Sequence, residues 1–181
     1  MRARERTARR YAKALHGIAR EGGAAEAVGR EIEAFFQVLV SQPEARDVLT
    51  RPWIKAEDRG AIAATLAERA GCGQLMRDFV GLLAERHRMD HLPEIVAIYR
   101  GLIDEDLGQA RAQVRAAVRL TDGEKRQIGA RLERAVGKRI ILDEHVDSTL
   151  LGGFVAQVGS LILDGSLDGQ LERMRERLAR G

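Results

Sequence analysis

The sequence predicts an α+β chain, with an N-terminal six-helix bundle over residues 1–107 and a small C-terminal α/β domain over 108–181 that carries a short sheet and a terminal helix. Three observations predict it. Apolar residues recur at helical spacing from Ala8 to about Leu107, broken by the turn-forming residues that separate short helices. After Gly108 the period drops to two, where Ala112, Val114, Ala116 and Val118 alternate with Gln113, Arg115, Ala117 and Arg119. The 181 residues, 45% of them hydrophobic, are enough for one large core or two small ones, and the change of period places a second domain after Gly108.

The first helix carries Ala8, Tyr11, Ala12, Leu15, Ile18 and Ala19 on one stripe, and Gly22-Gly23 ends it. Val28, Ile32, Phe35, Phe36 and Leu39 mark the second, which stops before Pro43 because the residue preceding a proline is pushed out of helical geometry. A short third piece spans Ala45 to Leu49 and ends before Pro52. The fourth starts near Lys55, turns Ile62, Leu66 and Ala70 inward and has Gly71 past its end. The fifth holds Leu75, Met76, Phe79, Val80, Leu82 and Leu83, apolar over more than one face. Such a helix is either central to the bundle or presents a groove to another helix, and periodicity leaves both readings open. Leu92, Ile95, Val96, Tyr99, Leu102 and Ile103 of a sixth helix cover only part of it.

In the second domain, Thr121 followed three residues later by Glu124 reads as a capping box, opening a helix with Ile128, Leu132 and Val136 that Gly137 closes. Arg139 to Glu144 is a second strand, built on Ile140-Ile141-Leu142. Phe154 to Val158 and Leu161 to Leu163, joined through Gly159-Ser160, read as a hairpin. Ser166 is the N-cap of a last helix that places Leu167, Leu171, Met174 and Leu178 at spacings of four and three. This narrow apolar seam suits packing on the small sheet or joining a partner helix in coiled-coil fashion.

Charge narrows the function classes. Lys+Arg 30 against Asp+Glu 27 leaves a net charge of +3, too even for a nucleic-acid binder driven by bulk charge, and aromatics at 4% offer no stacking platform for bases. The N-terminus is locally basic, with Arg2, Arg4, Arg6, Arg9, Arg10 and Lys13 against Glu5 alone; it either meets an anionic partner or stays solvated. One cysteine, Cys72, cannot form an internal disulfide, which fits cytoplasmic residence. No stretch reads as a signal peptide or a membrane span, so the expectation is a soluble chain that can sit beside a membrane.

Catalytic patterns are missing. His87 and His91 stand four apart but lack an acidic or thiol ligand to complete a metal site. Asp143, Glu144 and Asp147 are read as solvated carboxylates at a strand end. The glycines of Leu151-Gly152-Gly153 and Asp164-Gly165-Ser166 make no P-loop, since no lysine follows in the required place. The expectation is a non-enzyme with no catalytic, cofactor or metal site.

Two stretches carry a resemblance to a known family. Ala8-Arg9-Arg10-Tyr11-Ala12-Lys13-Ala14-Leu15 has a Tyr-Ala pair before a basic and an apolar residue. Asp147-Ser148-Thr149-Leu150-Leu151-Gly152-Gly153-Phe154, followed by Gly159-Ser160-Leu161-Ile162-Leu163-Asp164-Gly165-Ser166, is the more specific match. Together they resemble the delta subunit of bacterial F-type ATP synthases, related to the mitochondrial oligomycin-sensitivity-conferring protein. His16 and Gly17 depart from the pattern, where family members often have an aromatic and a polar residue, and this is expected to weaken packing of the first helix.

The resemblance implies a non-catalytic stator that resists torque during proton-driven ATP synthesis, on the cytoplasmic side of the bacterial inner membrane. It implies that the N-terminal bundle grips the N-terminal helices of the alpha subunits through a groove between the first and fifth helices. Tyr11, Ala14, Leu15, Ile18, Leu75, Phe79, Leu82 and Leu83 are the expected contacts there. It also implies that the C-terminal domain holds the b-subunit peripheral stalk through Gly152, Gly153, Leu167, Leu171, Met174 and Leu178. On that reading Leu15→Asp or Phe79→Asp would uncouple the chain from the catalytic head. The rival readings are an unrelated two-domain adaptor, a basic helical nucleic-acid binder, and an enzyme with an unrecognised site.

Overall fold

The computed structural model describes residues 2–51 and 53–180, and the chain divides into two compact units, Met1–Ile103 and Asp104–Gly181. Pro52, expected just past the third helix, lies outside the described residues, as does the side chain of Arg2. The fold is α+β and mostly helical, with one four-stranded sheet and a terminal helix.

Helices α1 (Arg2–Glu21), α2 (Ala25–Ser41), α3 (Pro43–Thr50), α4 (Ala56–Arg69), α5 (Gln74–Glu85) and α6 (Leu92–Asp106) precede the first strand. A 3-10 turn, Met89–His91, leads into α6. Pro43 does more than stop α2: it occupies the first turn of α3, where its missing N–H would have had no helical partner, so only Gln42 separates the two helices. Ala12, Leu15, Ile32, Phe35, Met76, Val80, Leu83, Ile95 and Tyr99 make the centre of the helical core. His16, which departs from the family pattern, lies at this core. It is buried, and its ring meets Tyr99 edge-on at 5.6 Å.

The inward face of α4 differs from the expectation. Ile62, Leu66 and Ala70 are only half-buried, and the innermost stripe is Gly60, Ala63 and Ala67. Close approach to α5 requires small residues: a Cβ on Gly81 would stand 3.5 Å from the Gly60 carbonyl. Beside this stripe Arg59 is fully buried. Its Nε donates to the Ala84 carbonyl at 2.6 Å, Nη1 to Ile54 at 2.8 Å and Nη2 to Glu85 at 3.3 Å. The guanidinium thus adds donors to carbonyls in the last turn of α5, where a cation is also favoured by the helix dipole.

In the second unit, β1 (Gln109–Ala116), α7 (Asp122–Val136) and β2 (Arg139–Val146) form a parallel crossover, followed by the antiparallel pair β3 (Phe154–Val158) and β4 (Leu161–Asp164). The strand order is β2-β1-β3-β4. Ala112, Val114, Ala156 and Val158 meet Ile128 and Leu132 of α7 in a separate core. The Thr121–Glu124 capping box is formed in both directions, and Gly137 closes the helix in the left-handed region at φ 71°. Two boundaries shift. Val118 is exposed rather than inward because β1 ends at Ala116; Leu120 N–H then donates to the Glu144 carboxylate at 2.6 Å. Strand β2 runs two residues past Glu144, kept in register opposite Arg115 and Ala116 of β1. Helix α8 (Leu167–Arg180) starts at Ser166, whose Oγ accepts from Gly169 N–H at 3.0 Å.

Candidate functional site

An apolar groove of about 590 Å³ lies between α1 and α5. Each wall follows helical geometry: Thr7, Tyr11, Ala14, Leu15 and Ile18 from α1, and Leu75, Asp78, Phe79 and Leu82 from α5. Leu15 and Phe79, 1% and 8% exposed, form the floor. Tyr11 meets Phe79 edge-on, ring centroids 6.4 Å apart, and fixes the middle. Ile18 at 57% and Leu82 at 42% stand at the open rim. From Thr7 to Ile18 the α1 wall is about 16 Å long, three turns of a docked helix.

Of the eight residues expected in this groove, seven line it. Leu83 does not, since it is fully buried in the helical core on another face of α5. Sequence reasoning missed the polar rim: Thr7, Arg10, Asp78 and Arg88. Arg10 stands one turn before Ala14 and was legible from helical spacing. Arg88 was not. It reaches the groove because His87, at φ 53°, turns the chain back at the end of α5 and lets Arg88 N–H donate to the Leu83 carbonyl at 2.8 Å.

The second expected surface is split. Leu167, Leu171, Met174 and Leu178 are between 47% and 82% exposed, so the α8 seam finds no cover on the sheet among the described residues. Gly152 and Gly153 serve the fold itself. Gly153 has φ 77°, and a Cβ there would come within 2.3 Å of the Gly165 carbonyl oxygen. The Gly152 carbonyl accepts from Leu167 N–H at 2.9 Å and the Gly153 carbonyl from Ala117 N–H at 3.1 Å, which ties the turn to the start of α8 and the end of β1.

No group of three His, Cys, Asp or Glu side chains among the described residues is placed to hold a metal. His87 is exposed at the end of α5 while His91 is buried in the 3-10 turn, so the two do not share a helix face. Asp143 and Glu144 are consecutive in β2 and point to opposite faces. Glu144 is held below the usual carboxylate range by its hydrogen bonds with Lys125, at 2.7 Å, and with Leu120 N–H. Asp147 is held down in the same way by the hydroxyl and N–H of Thr149, at 2.6 and 3.0 Å, with Arg115 near. Burial, then the charge of Glu31, pushes the Cys72 thiol up, away from the thiolate a nucleophile needs. No helix of the described residues is long and apolar enough to cross a membrane.

Comparison with known proteins bears on this geometry. A model of the family described as ATP synthase delta (OSCP) subunit matches residues 7–178. The chain is 40% identical over 174 residues to ATP synthase subunit delta of Syntrophobacter fumaroxidans, covering 96% of this chain and 95% of that one. It is 41% identical over 171 residues to subunit delta of an Anaeromyxobacter species, covering 94% and 96%. A chain of the mitochondrial ATP synthase hexamer of Toxoplasma gondii superposes with a TM-score of 0.71, over 95% of this chain and 97% of that one. Its 19% identity makes that a likeness of fold alone.

Proposed function

This chain belongs to the ATP synthase delta (OSCP) subunit family, and from that premise we propose that it is a non-catalytic stator linking the catalytic head of an F-type ATP synthase to its peripheral stalk. Residues 1–107 act as a six-helix bundle that takes the N-terminal helices of the alpha subunits into the α1/α5 groove. Residues 108–181 hold the b subunits, with the exposed α8 seam as the contact. The chain then sits peripherally on the cytoplasmic side of a bacterial inner membrane and reaches the membrane only through the complex.

The observation that carries this reading is the groove: two helices leave an apolar cleft three turns long, with a buried floor and exposed apolar rims, the form in which proteins receive an amphipathic helix. The chain's work is mechanical. It must hold two contacts in series under torque, so slow dissociation matters more than any reactive group, and burial of several large side chains supplies it. Titrating the full chain calorimetrically with a peptide copying the N-terminal helix of the same organism's alpha subunit tests the reading. Binding that a scrambled peptide does not reproduce is expected. A folded chain that ignores both peptides would return the unrelated-adaptor reading to the front.

A further inference from the structure

Resting on that reading, we infer that the helix seated in the α1/α5 groove presents a carboxylate to Arg10 and Arg88 at the Thr7 end of the groove. The two guanidiniums line the same cleft from different elements. Three arginines of the helical unit are paired, Arg4 with Glu94 at 2.9 Å, Arg77 with Glu68 at 2.9 Å, and Arg100 with Glu33. Arg10 and Arg88 have no acidic partner among the described residues.

Their position along the groove follows from the chain path. The residues after Arg88 run beside the first turns of α1, where Arg4 donates to the Asp90 carbonyl. Arg88 therefore stands near Thr7 and Arg10, with Tyr11 and Phe79 in the middle of the groove and Ile18 and Leu75 toward its far end. Asp78, whose carboxylate accepts from Gln74 Nε2 at 2.6 Å, puts the opposite sign on the α5 wall one turn back from Leu82. The charge along the groove is thus directional.

An apolar floor accepts any amphipathic helix and fixes neither its register nor its polarity. Two unpaired guanidiniums at one end fix both. A docked helix partly desolvates them, and one that brings a carboxylate gains charge-assisted hydrogen bonds, whereas one that brings a neutral side chain leaves two cations poorly solvated. A carboxylate one turn further along would face Asp78 and be repelled, which disfavours the slipped register.

The test is a calorimetric titration of the full chain and of an R10Q/R88Q variant with the alpha-subunit N-terminal peptide. The series adds peptides in which each Glu or Asp is changed singly to Gln or Asn. The variant is expected to bind about tenfold more weakly at low salt, with the difference shrinking at high salt. One peptide substitution should weaken the wild-type chain and leave R10Q/R88Q indifferent, and R10E/R88E should recover affinity when that acid becomes Lys. Binding of R10Q/R88Q within twofold of wild type, or no substitution that couples to the arginines, overturns the inference and leaves helix docking standing. Failure of the wild-type chain to bind any of the peptides overturns the docking reading itself, and the inference with it.

Discussion

At the scale of single residues, Arg59 is the largest side chain with essentially no exposure; it stands one turn before Ala63 on the inward stripe of α4, but its charge hides that place. A periodicity argument assigns arginines to the solvent face. The guanidinium is inside because α5 ends against α4 and brings the carbonyls of Ala84 and Glu85 within reach of one multi-donor side chain, Ala84 also accepting from His87 N–H at 3.2 Å. Arg59→Met keeps much of the volume and removes every donor. It is expected to destabilise the helical unit by about 3 kcal/mol, because buried acceptors lose their partners, partly offset by no longer burying a charge. Chemical denaturation of the full chain checks this. Arg59→Lys should fall between, since an ammonium keeps the charge but cannot span the same carbonyls in one plane.

At the scale of elements, spacing showed α1 and α5 each carrying apolar residues at i, i+4 and i+7 but left a core helix and a groove equally open, and the α1/α5 groove itself was expected only from the family resemblance. What the pattern could not divide was floor from rim. Leu15 and Phe79 are both, in the event, buried members of the helical core, so Leu15→Asp and Phe79→Asp would unfold the unit rather than report on docking. Ile18→Asp and Leu82→Asp are the informative changes. Each places a charge on an exposed rim position and is expected to lower peptide affinity at least tenfold while thermal stability stays within about 0.5 kcal/mol of wild type. The glycine turn before β3 makes the converse case. Gly153→Ala forces a left-handed residue and a backbone clash with Gly165, and should cost about 2–4 kcal/mol in the second unit. Gly152→Ala meets only the flexible end of Leu167 and should cost much less. Thermal melts of the two variants side by side distinguish a turn required by the fold from one kept for a partner.

At the scale of the whole molecule, the switch from a period of 3.6 to a period of two announced the change from helices to sheet, because each periodicity reflects local geometry that sequence carries directly. Strand ends and chain reversals were less legible. Val118 continues the alternation after the ladder has stopped, and His87 adopts a left-handed turn with no glycine to advertise it. The two units own separate cores, which gives acid a selective target. Glu124, Glu144 and Asp147 all lie in the second unit, and hydrogen bonds hold each below its ordinary value: Thr121 for the first, Lys125 and Leu120 for the second, Thr149 for the third. A carboxylate whose folded pKa is depressed binds its proton more readily in the unfolded chain. Its contribution is therefore complete above the unfolded value and is lost as pH falls through the folded one. Scanning calorimetry of the full chain is expected to show the second unit's transition moving to lower temperature as pH drops below about 5, through the ordinary range of Glu and Asp and on below it. Gln at position 144 should flatten that dependence and lower the transition at neutral pH, because the amide keeps an acceptor for Leu120 N–H but no charge for Lys125. A transition that stays fixed across this range would mean that these three carboxylates are equally well satisfied in the unfolded chain.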